Sequence, residues 1–327
     1  MKKLVLTLII LFCTTSIVVA QQSYNIEEAQ KIAAENGTPL IGISDKESYY
    51  FDPEQKSYLP KKEFIEKYGR PALRQLTDIE EQRRAKEEQA KANIEREKLQ
   101  LQALERLMNL DSYESVSYNK NEYADILDGL DGEDDGIIDY LSVATFFRDN
   151  IAGIDKNGNI SMMNIIEAPR LSKEQIYIQA NSWFVHTFNS GKSVIQLNEK
   201  EAGTILAKGY LKNIAEQVGF AISYEISANV IFRIDIKDGK ARLITTIQEY
   251  ESINRGGVAG AMSGNVSPSL HTCGPETVFP FVDKATTLSK KAGAKAYCAC
   301  CMYMIAMKNQ LKYAINSGII GDDVEDW

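Results

Sequence analysis

The residues with the best claim to chemistry lie late in the chain, in His271-Thr272-Cys273 and Cys298-Ala299-Cys300-Cys301. Thiols and an imidazole are the donors that zinc takes, four at a time and tetrahedrally. In a helix, Cys298 and Cys301 fall on neighbouring positions one turn apart, while Cys300 points elsewhere. His271, Cys273, Cys298 and Cys301 are therefore the metal-ligand candidates, although their spacing is that of no standard zinc module. A disulfide from Cys273 to Cys298 or Cys301 is the second use, open to an exported chain. The third use is packing: the apolar run Ala296 to Met307 surrounds the three helical thiols and favours buried, inert sulfur. The remaining histidine, His186, sits on the polar side of its helix, and no Ser/His/Asp or Cys/His arrangement is suggested.

Acidic residues supply a second candidate. Asp131-Gly132-Glu133-Asp134-Asp135-Gly136 follows the opening of an EF-hand loop, with oxygens at its first, third and fifth positions and glycine at the sixth. Asp139 stands ninth, so the calcium candidates are Asp131, Glu133, Asp135 and Asp139. The twelfth position is Ser142 instead of the bidentate Glu that completes such a site. The shorter Asp155-Lys156-Asn157-Gly158 reads as a turn into a strand. No catalytic metal and no cofactor are expected.

The elements that must position these residues follow from periodicity. Ser172 and Gln175 make a capping box for a helix from Lys173 to Phe188, with Ile176, Ala180, Trp183, Phe184 and Thr187 on one face. Trp183 is expected to be buried between this helix and a sheet. Ile160, Met162 and Ile166 alternate before the helix. After it come Val194 to Leu197, Thr204 to Leu211, the alternating Phe220–Ile226 and Val230–Ile236, and Leu243 to Ile247. Asp238-Gly239 is a strong hairpin turn. A helix from about Thr287 to Asn316 closes the order β-α-β-β-β-β-α. Its apolar run is too short to span a bilayer but suited to covering a sheet.

Upstream, Asn25 and Glu28 start a short helix, Pro39 to Ile43 is a strand, and Tyr49 to Tyr58 is a hairpin turning at Asp52-Pro53. A helix followed by a strand also begins thioredoxin-like domains, but the redox Cys-x-x-Cys is absent. Leu73 to Leu110 has no Gly or Pro and reads as one long helix. Its middle, Glu80 to Asn93, is polar nearly all round, with docking expected at Ile94, Leu101, Leu104 and Leu107. Apolar heptads are not sustained, so a solvated spacer holding two parts of the protein apart is favoured over a coiled coil. The organisation is a signal peptide (1–20), a small α/β segment (21–70), the long charged helix (71–110) and an acidic connection (111–154). A folded domain (155–317) with a Gly-rich insertion (254–283) and an acidic tail (318–327) completes it.

Gly158-Asn159-Ile160, Ser172 to Tyr177, Trp183, Val194 to Leu197, Ala202 to Ile205 and Ile236 to Arg242 resemble a secreted bacterial domain of unknown function. That family is described as having a TATA-box-binding-protein-like (TBP-like) fold. The resemblance spans about a third of the chain, and the last helix less surely. The fold class it implies is α+β: a TBP-like antiparallel sheet with helices on one face, preceded by the spacer helix and the small α/β segment. It brings no activity and no catalytic residues, and the fold name carries no DNA binding, because function belongs to sites. The Gly-rich insertion and the cysteine cluster depart from the pattern.

Charge and the N-terminus bound the rest. A net charge of −8 without a basic cluster excludes a nucleic-acid partner. Met1-Lys2-Lys3, the apolar Leu4 to Phe12 and the small residues at Val18-Val19-Ala20 read as a secretory signal cleaved before Gln21. Phe12 before Cys13 is too large for a lipid-attachment signal. The expectation is an exported, periplasmic or extracellular product with no stable membrane insertion. Such a module binds a protein, peptide or small ligand in the cell envelope without being an enzyme. The alternative is a thiol- or metal-dependent enzyme using Cys273, Cys298 and Cys301.

Overall fold

Asn25 accepts the Glu28 N–H and caps α1 (Ile26–Glu35), which Gly37 ends in the left-handed region at φ +63°. The computed structural model describes residues 22–43, 47–110, 122–133, 135–188, 195–263, 268–284 and 286–317. The signal segment 1–20, Asp134, Gly191, Val194 and the tail 318–327 lie outside them. The chain divides into two units, Met1–Ile94 and Glu95–Trp327.

In the N-terminal unit, β1 (Ile41–Ile43), β2 (Ser48–Asp52) and β3 (Ser57–Pro60) form an antiparallel sheet in that order. A small aromatic core (Phe51, Phe64, Tyr50 and Tyr68) holds it to the first turns of α2 (Lys61–Met108). Gly69 breaks α2 with φ +86° and ψ 167°, and Pro71 then starts the second stretch, where a missing N–H costs nothing. The fully buried Asp52 carboxylate ties the hairpin to α2. It accepts from Lys67 Nζ and Tyr68 OH, each at 2.7 Å, and from the Glu54 N–H at 3.0 Å. Burial works against its ionised form, but these donors outweigh it and hold the carboxyl below the usual range.

Periodicity misled at two points along α2. Glu80, read as part of a solvated polar stretch, is buried, because Arg83 and Arg84 both fold onto its carboxylate. Ile94 and Leu101, read as docking residues, are exposed. The face of α2 that packs within the second unit is Ala103 and Leu107, with Leu104 partly buried.

The second unit begins with α3 (Glu122–Asp131) and α4 (Tyr140–Asn150), then β4 (Gly153–Ile154) and β5 (Ile160–Glu167). Next come α5 (Lys173–Thr187), β6 (Ile195–Glu199), β7 (Thr204–Val218), β8 (Ile222–Lys237) and β9 (Lys240–Gly256). A short α6 (Val258–Ser263), β10 (Ser269–Cys273), a 3-10 turn (Pro275–Thr277) and α7 (Thr287–Ser317) complete the order. The fold is α+β, and its order is the expected β-α-β-β-β-β-α with α6, β10 and the 3-10 turn added before the last helix. The two alternating runs about Ile226 and Val230 merge into the single strand β8, and Phe220 stands outside it in the preceding turn.

The sheet is antiparallel, in the order β4-β5-β9-β8-β7-β6, with β10 also on β9. β9 pairs with β5 through Ile247 and with β10 from Tyr250 onward, so part of the Gly-rich segment extends the sheet. Bulges between Leu211 and Ala215, and between Asn229 and Val230, shift the register of the longest strands and bend them.

Helices α5 and α7 cover one face. The capping box at Ser172 and Gln175 is made in both directions, and Asp238 in the β8–β9 turn accepts the Lys173 N–H at 2.7 Å. The turn that ends one hairpin thus caps the helix packed on it. Helix α7 is buried on all sides from Ala296 to Met307, because the sheet and α5 lie against it and α4 packs on it as well. Among the described residues, no helix is long and apolar enough to cross a membrane.

Candidate functional site

The cysteines come first. Cys298, Cys300 and Cys301 are fully buried in α7, and Cys273 is half-buried at the end of β10. All four carry free thiols. Burial raises each of them: Cys300 is pushed up to about 12, and Cys298 and Cys301 rise well above the ordinary thiol value. Cys273 is raised as well, chiefly by burial. A thiol held protonated is a poor nucleophile and a poor metal ligand. His271 is exposed on β10, where its Nε2 lies 3.1 Å from Ser269 Oγ, and His186 is exposed on α5. Among the described residues, no three His, Cys, Asp or Glu side chains come together to hold a metal.

The acidic candidates occupy the loop joining α3 to α4. Asp131 is buried and accepts the N–H groups of Glu133 and Asp139 at 3.0 and 2.8 Å. Glu133 and Asp135 are exposed; Asp135 turns back to the Ile137 N–H, and Glu133 faces Arg96 at 3.5 Å. Asp139 caps α4, accepting from the Leu141 N–H and from Ser142 Oγ, so Ser142 at the twelfth position serves the cap. Sequence reading missed Asp128, one turn earlier on α3. Its signal was an acid set among Tyr123, Leu127 and Leu130, which are all buried.

A groove of about 740 Å³ in the N-terminal unit runs between Ala33, Leu40 and Ile79 and the polar side chains of Glu80, Arg83 and Lys86. Its charges are largely spent on each other: Glu80 accepts from Arg83 and Arg84 and is held below its usual range, first by Arg83.

The uncovered face of the large sheet offers a different kind of site. Inward positions such as Ile160, Ile205, Phe232 and Leu243 are buried under the helices. Outward positions alternate with them, and the pairing aligns Met163, Ile244, Arg233, Leu206 and Leu197 in one row across five strands. The next row carries Ile165, Arg242, Asp235 and Thr204. Met163 and Ile165 are 61% and 58% exposed, and Leu197 is exposed as well, in a place where a strand ordinarily shows polar residues. Between the rows, Asp235 binds Arg233 at 2.9 Å and Arg242 at 2.5 Å. Burial opposes its charge, but the two guanidinium groups outweigh that and lower its carboxyl. The paired ions fix both guanidinium groups beside the aliphatic row. Apolar residues on both parities of β5 are the signal for this face, which the alternation of Ile160, Met162 and Ile166 leaves aside.

Comparison with known proteins places the sheet in a family. Residues 163–250 match the family described as a domain of unknown function (DUF4468) with TBP-like fold, so the central block of this chain is such a domain. Two solved structures are similar. One is a TBP-like protein from Parabacteroides distasonis ATCC 8503, with 15% identity over 49% of this chain and 95% of that one, at a TM-score of 0.34. The other is a DUF4468 family protein from Bacteroides ovatus ATCC 8483, with 12% identity over 48% of this chain and 88% of that one, at a TM-score of 0.31. No curated protein matches the chain.

Proposed function

We propose that this protein is an exported, non-enzymatic binding module whose uncovered sheet face docks a protein partner. The observation that carries the reading is the row from Met163 to Leu197. Aliphatic side chains project outward from a sheet whose strands are locked by continuous pairing, beside two guanidinium groups held by Asp235. An open sheet face of this composition suits a broad polypeptide contact better than a small molecule, which takes an enclosing pocket. The partner surface it fits is aliphatic at its centre with carboxylates on one side. The thiol-enzyme alternative has less support, since the helical sulfurs are buried and protonated.

Export rests on the order of charge, apolar run and small residues before Gln21. N-terminal sequencing of the protein from its native cell is expected to begin at Gln21; retention of Met1 would contradict export by this signal.

A photo-crosslinking residue at position 165 tests the docking face in the native cell. It is expected to capture a discrete partner band that the same residue at position 178, on the outer side of α5, does not. Equal capture from the exposed Ile178 position would count against the face.

A further inference from the structure

We propose that the helix–loop–helix from Glu122 to Asn150 binds a calcium ion at the carboxylates of Asp128 and Asp131. These side chains are 6% and 9% exposed, and neither forms an ion pair with a described residue. Asp128 accepts the Gly136 N–H on Oδ2 at 3.0 Å, while its buried Oδ1 has no hydrogen-bond partner among the described residues. Asp131 stands three residues on, one helical turn from Asp128 on α3, and among the described residues its oxygens take two backbone N–H groups. A buried pair of carboxyl groups with one oxygen left open offers a place where a cation can replace a proton as the source of compensating charge.

The chemistry selects the ion. The loop offers oxygen alone, which suits hard cations and excludes the softer metals that take nitrogen and sulfur. Gly132 and Gly136, at φ +85° and +74°, let the chain turn tightly beside the pair. Only two carboxylates are gathered, so water must complete the shell, with the exposed Glu133 and Asp135 adding negative charge nearby. Calcium accepts irregular mixed oxygen shells, whereas magnesium demands a near-ideal octahedron. Without a bidentate acid at the twelfth position, the affinity belongs to the weak class, with Kd of about 0.1–1 mM.

Calorimetric titration of the chelator-stripped full chain with calcium chloride tests the site, with magnesium chloride in parallel. Wild type is expected to show one saturable calcium site, weakened at least about tenfold in both Asp128→Asn and Asp131→Asn, with magnesium binding weaker. Asp125→Asn, which changes an exposed acid on the same helix, should leave the titration unchanged. Circular dichroism of each variant confirms that it folds; Glu133→Gln with Asp135→Asn, both on the surface, should weaken binding about severalfold and serves as the second test. No saturable calcium binding by wild type, undiminished binding in folded Asp128→Asn, or equal affinity for magnesium would overturn the proposal.

Discussion

Trp183→Ala is expected to lower the unfolding free energy of the C-terminal unit by about 3–5 kcal/mol. Trp183 is buried, and it is the residue that locks α5 to the sheet: its ring centroid lies 4.8 Å from Phe184 and 6.2 Å from Phe232 on β8. Truncation removes the largest side chain at this junction and leaves a void that rigid strands on one side cannot close. Trp183→Phe should cost much less, because the buried indole Nε1 finds no protein acceptor and phenylalanine gives up no hydrogen bond there. Chemical denaturation followed at the sheet measures both. An unchanged midpoint for the alanine variant would mean that the α5 interface is not part of the cooperative core.

Asp52→Ala should destabilise the N-terminal unit by about 3 kcal/mol, at the low end for a broken buried pair. The loss is moderated because Lys67 is 23% exposed and keeps Glu54 at 2.9 Å, whereas Tyr68 OH is left without its acceptor. The same carboxylate sets a pH dependence. Its folded-state pKa lies below the unfolded value of about 3.9, so the unfolded state binds the proton more readily. Its stabilisation is complete above that value and is lost as the pH falls through the lower, folded-state value. Hydrogen-exchange protection factors of the β2 amides, corrected for the intrinsic rate, should therefore fall below about pH 4 in wild type. In Asp52→Asn the protection should be lower at neutral pH and show less of this acid limb; an identical acid limb would assign it to other carboxylates.

Sequence reading succeeded where information is local. The capping box at Ser172, the turn at Asp238-Gly239 and the alternation in β8 each lie within a few residues, and together they specify the central α+β order. Pairing is set by distant residues instead. The join of β5 and β10 to successive parts of the same edge of β9 depends on contacts about 80 and 20 residues apart in the chain, to which periodicity is blind. Glu80 failed for a related reason, since its burial depends on Arg83 and Arg84 folding over it. The candidate site was the least legible part. A strand with Ile160, Met162, Met163, Ile165 and Ile166 has apolar residues on both faces, and only the placement of α5 and α7 decides which set stays outside. The cysteines drew attention by type, yet their place in an apolar run already pointed to packing.

The docking face stands or falls on one affinity. The partner captured at position 165 should be purified and titrated against wild type and the Met163→Asp/Ile165→Asp variant, with unfolding of both proteins measured alongside. Both side chains project away from the core, so the unfolding midpoint should be unchanged, while the affinity should fall at least about tenfold. Undiminished affinity in the folded variant would contradict a binding role for this face.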